Sequence, residues 1–193
     1  MLTPSSGITT SPGAARMEEP MLVEDAETLP PAIMDCNFSF DVTSELLAPY
    51  DDPFGQVRVV EPYRKSYGFD PDDFTAGPDR RLVIASRAGR ACGYLLLSKS
   101  WNGFVSVEDL AVDRTARRSG AGRMLMDRAV GWAREQDAPG IRLETQSNNV
   151  AACRFHKRYG FELGGYDKYL YAALEQRRET ALFLYLFLTA VEV

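Results

Sequence analysis

The stretch Val105-Ser106-Val107-Glu108-Asp109-Leu110-Ala111-Val112, with Arg117-Arg118-Ser119-Gly120-Ala121-Gly122 a turn further on, decides the fold. Val105 and Val107 share one phase of a two-residue alternation, and Leu110 and Val112 share the other. The phase flips at Glu108-Asp109. A strand changes phase only by taking in an extra residue, so the spacing predicts a strand over 104–112 carrying a β-bulge. Beyond the glycines, Leu125, Ala129 and Trp132 fall on one face of a helix over 120–136, and Arg123, Asp127 and Arg134 are among its exposed charges. Pro139-Gly140 breaks that helix.

The segment between strand and helix has the chemistry of an anion site. Gly120 and Gly122 let a ligand approach the backbone closely. The helix that follows offers unpaired N–H groups and the positive end of its dipole. Together they suit a pyrophosphate, and Arg117, Arg118 and Arg123 add positive charge around it. No Gly-Lys-Ser/Thr follows, which excludes a Walker A loop. Leu125 stands where a dinucleotide fingerprint needs its third glycine. A glycine-rich helix start without a ligand is the plainer reading of these six residues taken alone.

Outward from this centre, Leu82 to Ala85 and Gly93 to Ser98 form a hairpin about Ala88-Gly89-Arg90. Gly68 to Pro78 is an acidic, turn-rich loop. Phe38, Phe40 and Val42 alternate as a strand does, and Val57 to Glu61 continues extended. On the other side come a short strand, Ile141 to Thr145, and a helix capped by Asn148 or Asn149. That helix carries an Ala151, Phe155, Tyr159 stripe and ends at Gly160. Leu170-Tyr171 and Ala181 to Leu188 supply the last strands. The order β-β-β-α-β-α-β-β implies an α+β fold, a mixed sheet flanked by helices with a bulged central strand. Residues 1–34 read as a flexible tail, with Met17 as a second candidate start, and 35–193 as the single domain.

A net charge of −5 argues against nucleic acid and suits a small cationic partner. No apolar run approaches the roughly 20 residues of a membrane span. Three cysteines without framework spacing fit reduced thiols in the cytoplasm. No metal-binding pattern is present, and a homodimer is left open.

The Arg117 to Gly122 segment resembles the acetyl-CoA pyrophosphate loop of the GNAT N-acetyltransferases. In that family a bulged strand splays from its neighbour, and the pantetheine arm enters the gap; the resemblance implies that Leu110, Ala111 and Val112 line its path. Asn149 to Phe161 is similar to the family's asparagine-capped helix ending in Gly-Phe, which implies that Asn149 contacts the cofactor. A closer resemblance is to the streptothricin acetyltransferases. They share Pro62-Tyr63-Arg64-Lys65-Ser66-Tyr67, Trp101-Asn102, Ile141 to Gln146, Asn148-Asn149, Ala152-Cys153 and Gly160-Phe161. This implies acetyl-CoA as co-substrate, no metal, and the β-lysine amine of streptothricin as acceptor, with antibiotic resistance as the outcome. An acetyltransferase for a protein N-terminus or another amine, and an acyl-CoA-binding module without catalysis, stay open as alternatives.

The reaction poses two proton problems: a substrate ammonium must lose a proton, and the departing thiolate gains from a donor. Glu144 and Glu108 are the candidate bases, with Asp109 behind them. Each could equally be a solvated strand carboxylate. The family's acid is a tyrosine on the capped helix, and counting back from Gly160-Phe161 places His156, the one histidine, at that position. An imidazole can donate near neutral pH, although a lone helical histidine is more often a packing residue. Tyr63, Tyr67, Trp101, Asn102 and Asp109 are the candidate acceptor-binding residues. Burial, or a turn tryptophan covering its hairpin, competes with that role.

Overall fold

The computed structural model of the chain describes residues 19–48, 50 and 55–189. In chain order the strands and helices are β1 (Met21–Ala26), β2 (Phe40–Leu46), β3 (Val57–Lys65), β4 (Arg80–Arg87), β5 (Arg90–Lys99), β6 (Val105–Val112), α1 (Ala121–Glu135), β7 (Gly140–Gln146), α2 (Val150–Tyr159), β8 (Glu162–Asp167) and β9 (Ala181–Phe187). Seven strands form one mixed sheet in the order β1-β4-β5-β6-β7-β9-β8, and β2 and β3 pair as a separate ribbon. From β4 onward the element order is the one expected from the sequence, and the α+β class holds.

Leu95, Leu97, Val105, Ile141, Leu143 and Leu184 all point to one face of the sheet, where they pack with Leu125, Met126, Ala129 and Trp132 of α1. Alternation then puts the intervening residues of these strands on the opposite face. Beneath β4 and β5 that opposite face carries a second cluster, with Leu82, Tyr94 and Leu96 packed against Ile33 and Phe74. The acidic loop is therefore pinned from within. The Phe69 and Phe74 rings lie 5.8 and 5.1 Å from that of Tyr94. Asp70 caps a short 3-10 turn by accepting from Asp72 N–H.

Two expectations are corrected. Residues 21–34 are not tail: β1 runs antiparallel along β4, from Met21 opposite Arg87 to Ala26 opposite Leu82, and a 3-10 turn over Pro31–Asp35 buries Ile33. An edge strand needs few apolar residues of its own when a partner strand supplies the hydrogen bonds. Asp25 also bridges Arg81 and Arg128 across it. Residues 1–18, Met17 among them, lie outside the described residues.

The penultimate strand is Glu162–Asp167, and Leu170-Tyr171 lies in a run of turns. Gly164-Gly165 hides this strand from propensity. Glycine is needed at 164 because a Cβ there would stand 2.5 Å from the Tyr185 ring. Among the described residues no helix is long and apolar enough to cross a membrane.

Candidate active site

The bulge lies where the alternation places it. Leu96 of β5 faces Asp109 and Leu97 faces Val107, so Glu108 is the extra residue. Its consequence appears on the other edge of β6. Parallel pairing with β7 runs from Val105–Ile141 to Val107–Leu143 and stops. Leu110, Ala111 and Val112 keep their β5 partners but have none on β7. The two strands fork, and the backbone of these three residues lines the opening.

The glycine loop stands above this fork. Gly120 takes φ 95°, a left-handed conformation that L side chains rarely adopt, and ends the loop so that α1 can begin. It brings no side-chain cap, so the first N–H groups of α1 stay available. Arg118, also left-handed at φ 64°, is exposed and has no ion pair among the described residues. Arg123 lies over the Tyr159 ring. Ser119 is committed to the Ala116 carbonyl at 2.6 Å. Arg117 also has another task, donating to the carbonyls of Val112 at 3.0 Å and Phe38 at 2.8 Å. It ties the loop to the chain before β2, and Arg118 is left exposed at the mouth. These groups fit the phosphates of acetyl-CoA, and the unpaired edge of β6 fits an extended amide-bearing arm.

On the face away from α1, Glu108 and Glu144 follow directly on the last paired residues, so both stand at the fork. Both are exposed. Glu108 accepts from the Ser98 hydroxyl and Glu144 from that of Tyr171. Asp109 is different: it is shielded, accepts from the Tyr94 hydroxyl at 3.0 Å, and burial raises its carboxyl above the usual carboxylate range.

Tyr63 and Tyr67 meet the end of β7. Asn148 Nδ2 donates to Tyr63 Oη at 2.9 Å, and Tyr67 Oη donates to Gln146 Oε1 at 2.7 Å. Asn149, not Asn148, caps α2, accepting from Ala152 N–H at 3.2 Å. Trp101 and Asn102 lie apart from this group. They occupy the turn that precedes β6, level with the start of β7 at Ile141. Gln146 is five residues along β7, roughly 16 Å away at strand rise. Trp101 is 93% exposed, so it does not cover its hairpin either.

His156 is only 6% exposed. It lies between the rings of Phe155 at 5.0 Å and Phe161 at 5.4 Å, and its Nδ1 has no partner among the described residues. Burial pushes its pKa down to about 4, so the imidazole is neutral at physiological pH. Phe155 is the ring that a Cβ on Gly122 would meet at 3.4 Å, which places His156 one residue from the loop–α2 contact. Tyr159 turns the other way and donates to Asp127 of α1 at 2.6 Å.

Sequence reasoning gave no site role to Tyr171 or to the partners Lys65 and Glu179. Gln146 was within reach, since it shares a strand face with Glu144 two residues earlier. Nothing local marks Tyr171.

A forked sheet, a free-N–H glycine loop and carboxylates facing the fork define an acyl-CoA-dependent transferase, and the acetyltransferase (GNAT) family profile matches residues 42–161. The chain belongs to that family, and within it to the streptothricin acetyltransferases. It is 38% identical to a streptothricin acetyltransferase from Escherichia coli over 68% of this chain and 74% of that one. It is 31% identical to streptothricin acetyltransferase A from Bacillus subtilis (strain 168), over 68% and 78%. A Bacillus anthracis protein assigned as a streptothricin acetyltransferase, solved with acetyl coenzyme A, superposes with a TM-score of 0.78 at 32% identity, covering 88% of this chain and 99% of that one.

Proposed function

We propose that the chain acetylates the β-lysine amine of streptothricin from acetyl-CoA in a ternary complex, and that this is its resistance activity in the cytoplasm. The observation that carries the reading is the fork: one opening is lined by the unpaired backbone of Leu110 to Val112, and Glu108, Asp109 and Glu144 stand on the sheet face beside it. Bound acetyl-CoA supplies the activated acetyl group. The N–H groups after Gly120, with Arg118, hold its phosphates, and Asn149 braces the facing helix.

On the acceptor side, Glu144 receives the ammonium and takes its proton. Glu108 is the second carboxylate for a polycation, with Asp109 behind both, and Tyr63 and Tyr67 form the wall. His156 supplies an N–H to the departing sulfur as a neutral donor, because an imidazolium would have to survive in an aromatic pocket that pushes its pKa to about 4. No thiol competes as a nucleophile. Cys153 is buried and its thiol is pushed up to about 12, while burial also raises Cys36 and Cys92. A thiolate is the reactive form, so direct attack by the amine is the simplest route.

The test is release of free thiol from acetyl-CoA with streptothricin, against a peptide bearing a free N-terminus. Thiol release with the antibiotic alone is expected. Release with the peptide alone would assign a different acceptor, and release with neither would leave only a binding module.

A further inference from the structure

Glu144 does not stand alone. Its carboxylate can only accept, so the hydroxyl of Tyr171 must donate to it. The Tyr171 oxygen is then left to accept, and Gln146 Nε2 donates to it at 3.0 Å. That fixes the Gln146 amide, whose Oε1 takes the Tyr67 hydroxyl at 2.7 Å. Every bond in the chain Tyr67–Gln146–Tyr171–Glu144 points the same way, toward the carboxylate, and flipping the amide would set its oxygen against the Tyr171 oxygen and break that bond. Burial, and then the neighbouring Glu144 carboxylate, push the Tyr171 hydroxyl above the usual tyrosine range, so it remains a donor at any working pH. Burial does the same for Tyr67.

Tyr171 belongs to the connection between β8 and β9, which has no strand or helix of its own. Successive turns shape it, with Ala172 N–H on Tyr169 C=O at 2.9 Å, Leu174 on Tyr171 at 2.9 Å and Glu179 on Gln176 at 2.8 Å. Besides Tyr171 itself, Glu179 and Thr180 hold it to the rest of the molecule. Glu179 pairs with Lys65 at the end of β3, with side chains only 12% and 10% exposed, and Ser147 N–H donates to Thr180 C=O at 3.0 Å. Lys65 also lies over the Tyr67 ring at 4.3 Å. The β2–β3 ribbon, the end of β7 and the β8–β9 connection are thus joined around one carboxylate.

We propose that Tyr171, braced by Gln146 and Tyr67, is a positioning residue: it holds one oxygen of Glu144 so that the other is presented to the acceptor ammonium. The proposal rests on the reading of Glu144 given above. Its consequence is that the β8–β9 connection, which carries none of the reacting groups, sets how well a cationic acceptor is held while leaving acetyl-CoA untouched.

The test is a double-mutant cycle on the whole chain. Tyr171→Phe removes the donor and keeps the ring. It should raise KM for streptothricin roughly tenfold, the scale of one hydrogen bond to a charged group, with acetyl-CoA affinity unchanged. In a Glu144→Gln background the same substitution should add less than about twofold, because its effect passes through Glu144. Gln146→Met, which leaves Tyr171 unbraced, should give a smaller loss coupled to Glu144 in the same way, and it serves as the readout should Tyr171→Phe not fold. Equal losses from Tyr171→Phe in both backgrounds would overturn the proposal. So would an impaired Glu144→Gln beside an unimpaired Tyr171→Phe, which would leave the Glu144 reading standing. An unimpaired Glu144→Gln would overturn both.

Discussion

Replacing His156 by phenylalanine separates what this residue does for the fold from what it does for the reaction. The unfolded chain takes up a proton at this histidine below about pH 6.5, whereas the folded chain resists until about pH 4. Its contribution to stability is therefore complete above pH 6.5 and drains away as the pH falls toward 4. At about 1.4 kcal/mol per tenfold change in proton affinity, the full loss is about 3 kcal/mol, and about 2 kcal/mol is already gone at pH 5. For a chain of this size 1 kcal/mol corresponds to roughly 2–4 °C in Tm. The fall in Tm between pH 7.5 and pH 5 should thus be about 4–8 °C smaller in His156→Phe than in the wild type, by circular dichroism.

Other acids titrate in the same scan. Asp41, for example, is held low by Arg114 and then Arg64, but such groups are present in both proteins and cancel in the difference. Phenylalanine keeps an aromatic ring between Phe155 and Phe161 and removes the ring nitrogens, of which Nδ1 has no partner among the described residues. An equal fall in Tm would refute the buried, neutral histidine. The rate is read separately, as kcat at saturating acetyl-CoA. If the imidazole N–H bonds to the departing sulfur, His156→Phe should lose about 10²–10³-fold, the scale of one lost donor to developing charge. His156→Tyr should recover much of that loss. Equal rates in all three proteins would leave His156 a packing residue.

The remaining predictions concern the loop, the buried acid and the substrate's charge. In Gly122→Val the Cβ itself meets Phe155 at 3.4 Å, and the two added methyls reach into the space between the loop and α2. Calorimetry should show acetyl-CoA affinity falling at least tenfold in a folded protein, and unchanged affinity would remove the loop from the site. Burial raises the Asp109 carboxyl, so its ionisation costs stability, and that cost grows as pH rises through its folded pKa. Asp109→Asn should therefore raise Tm at pH 7.5 by a few degrees while still accepting from Tyr94, and a lowered Tm would contradict the burial. KM for streptothricin should climb with ionic strength more steeply than KM for an uncharged amine, and parallel responses would exclude a role for Glu108 and Glu144 in holding the cation.

What the sequence by itself determined are the features whose causes are local. The phase flip at Glu108 needs only two residues on either side, and the bulge stands there. The left-handed Gly120, the Asn149 cap and the Gly160 stop are each written in a few consecutive residues. Tertiary structure alone decided which polar groups become partners and which become buried. β1 and β8 are edge strands made by their neighbours, β4 and β9, more than by their own propensity. Arg117 looks like a phosphate ligand in the sequence and serves instead as a brace for Phe38, 79 residues away. Trp101, which family likeness groups with Tyr63, is carried to the far end of β7 by strand register. Lys65 and Glu179 are separated by 114 residues and meet only because the ribbon folds over the end of β7. His156 keeps its helical position in any reading, but its neutrality comes from the aromatic rings packed around it, and Tyr171 gains its role only from the carboxylate that the β8–β9 turns bring within reach. Periodicity and capping act over a turn or a strand pair, whereas desolvation and hydrogen-bond choice depend on segments that are neighbours in space alone.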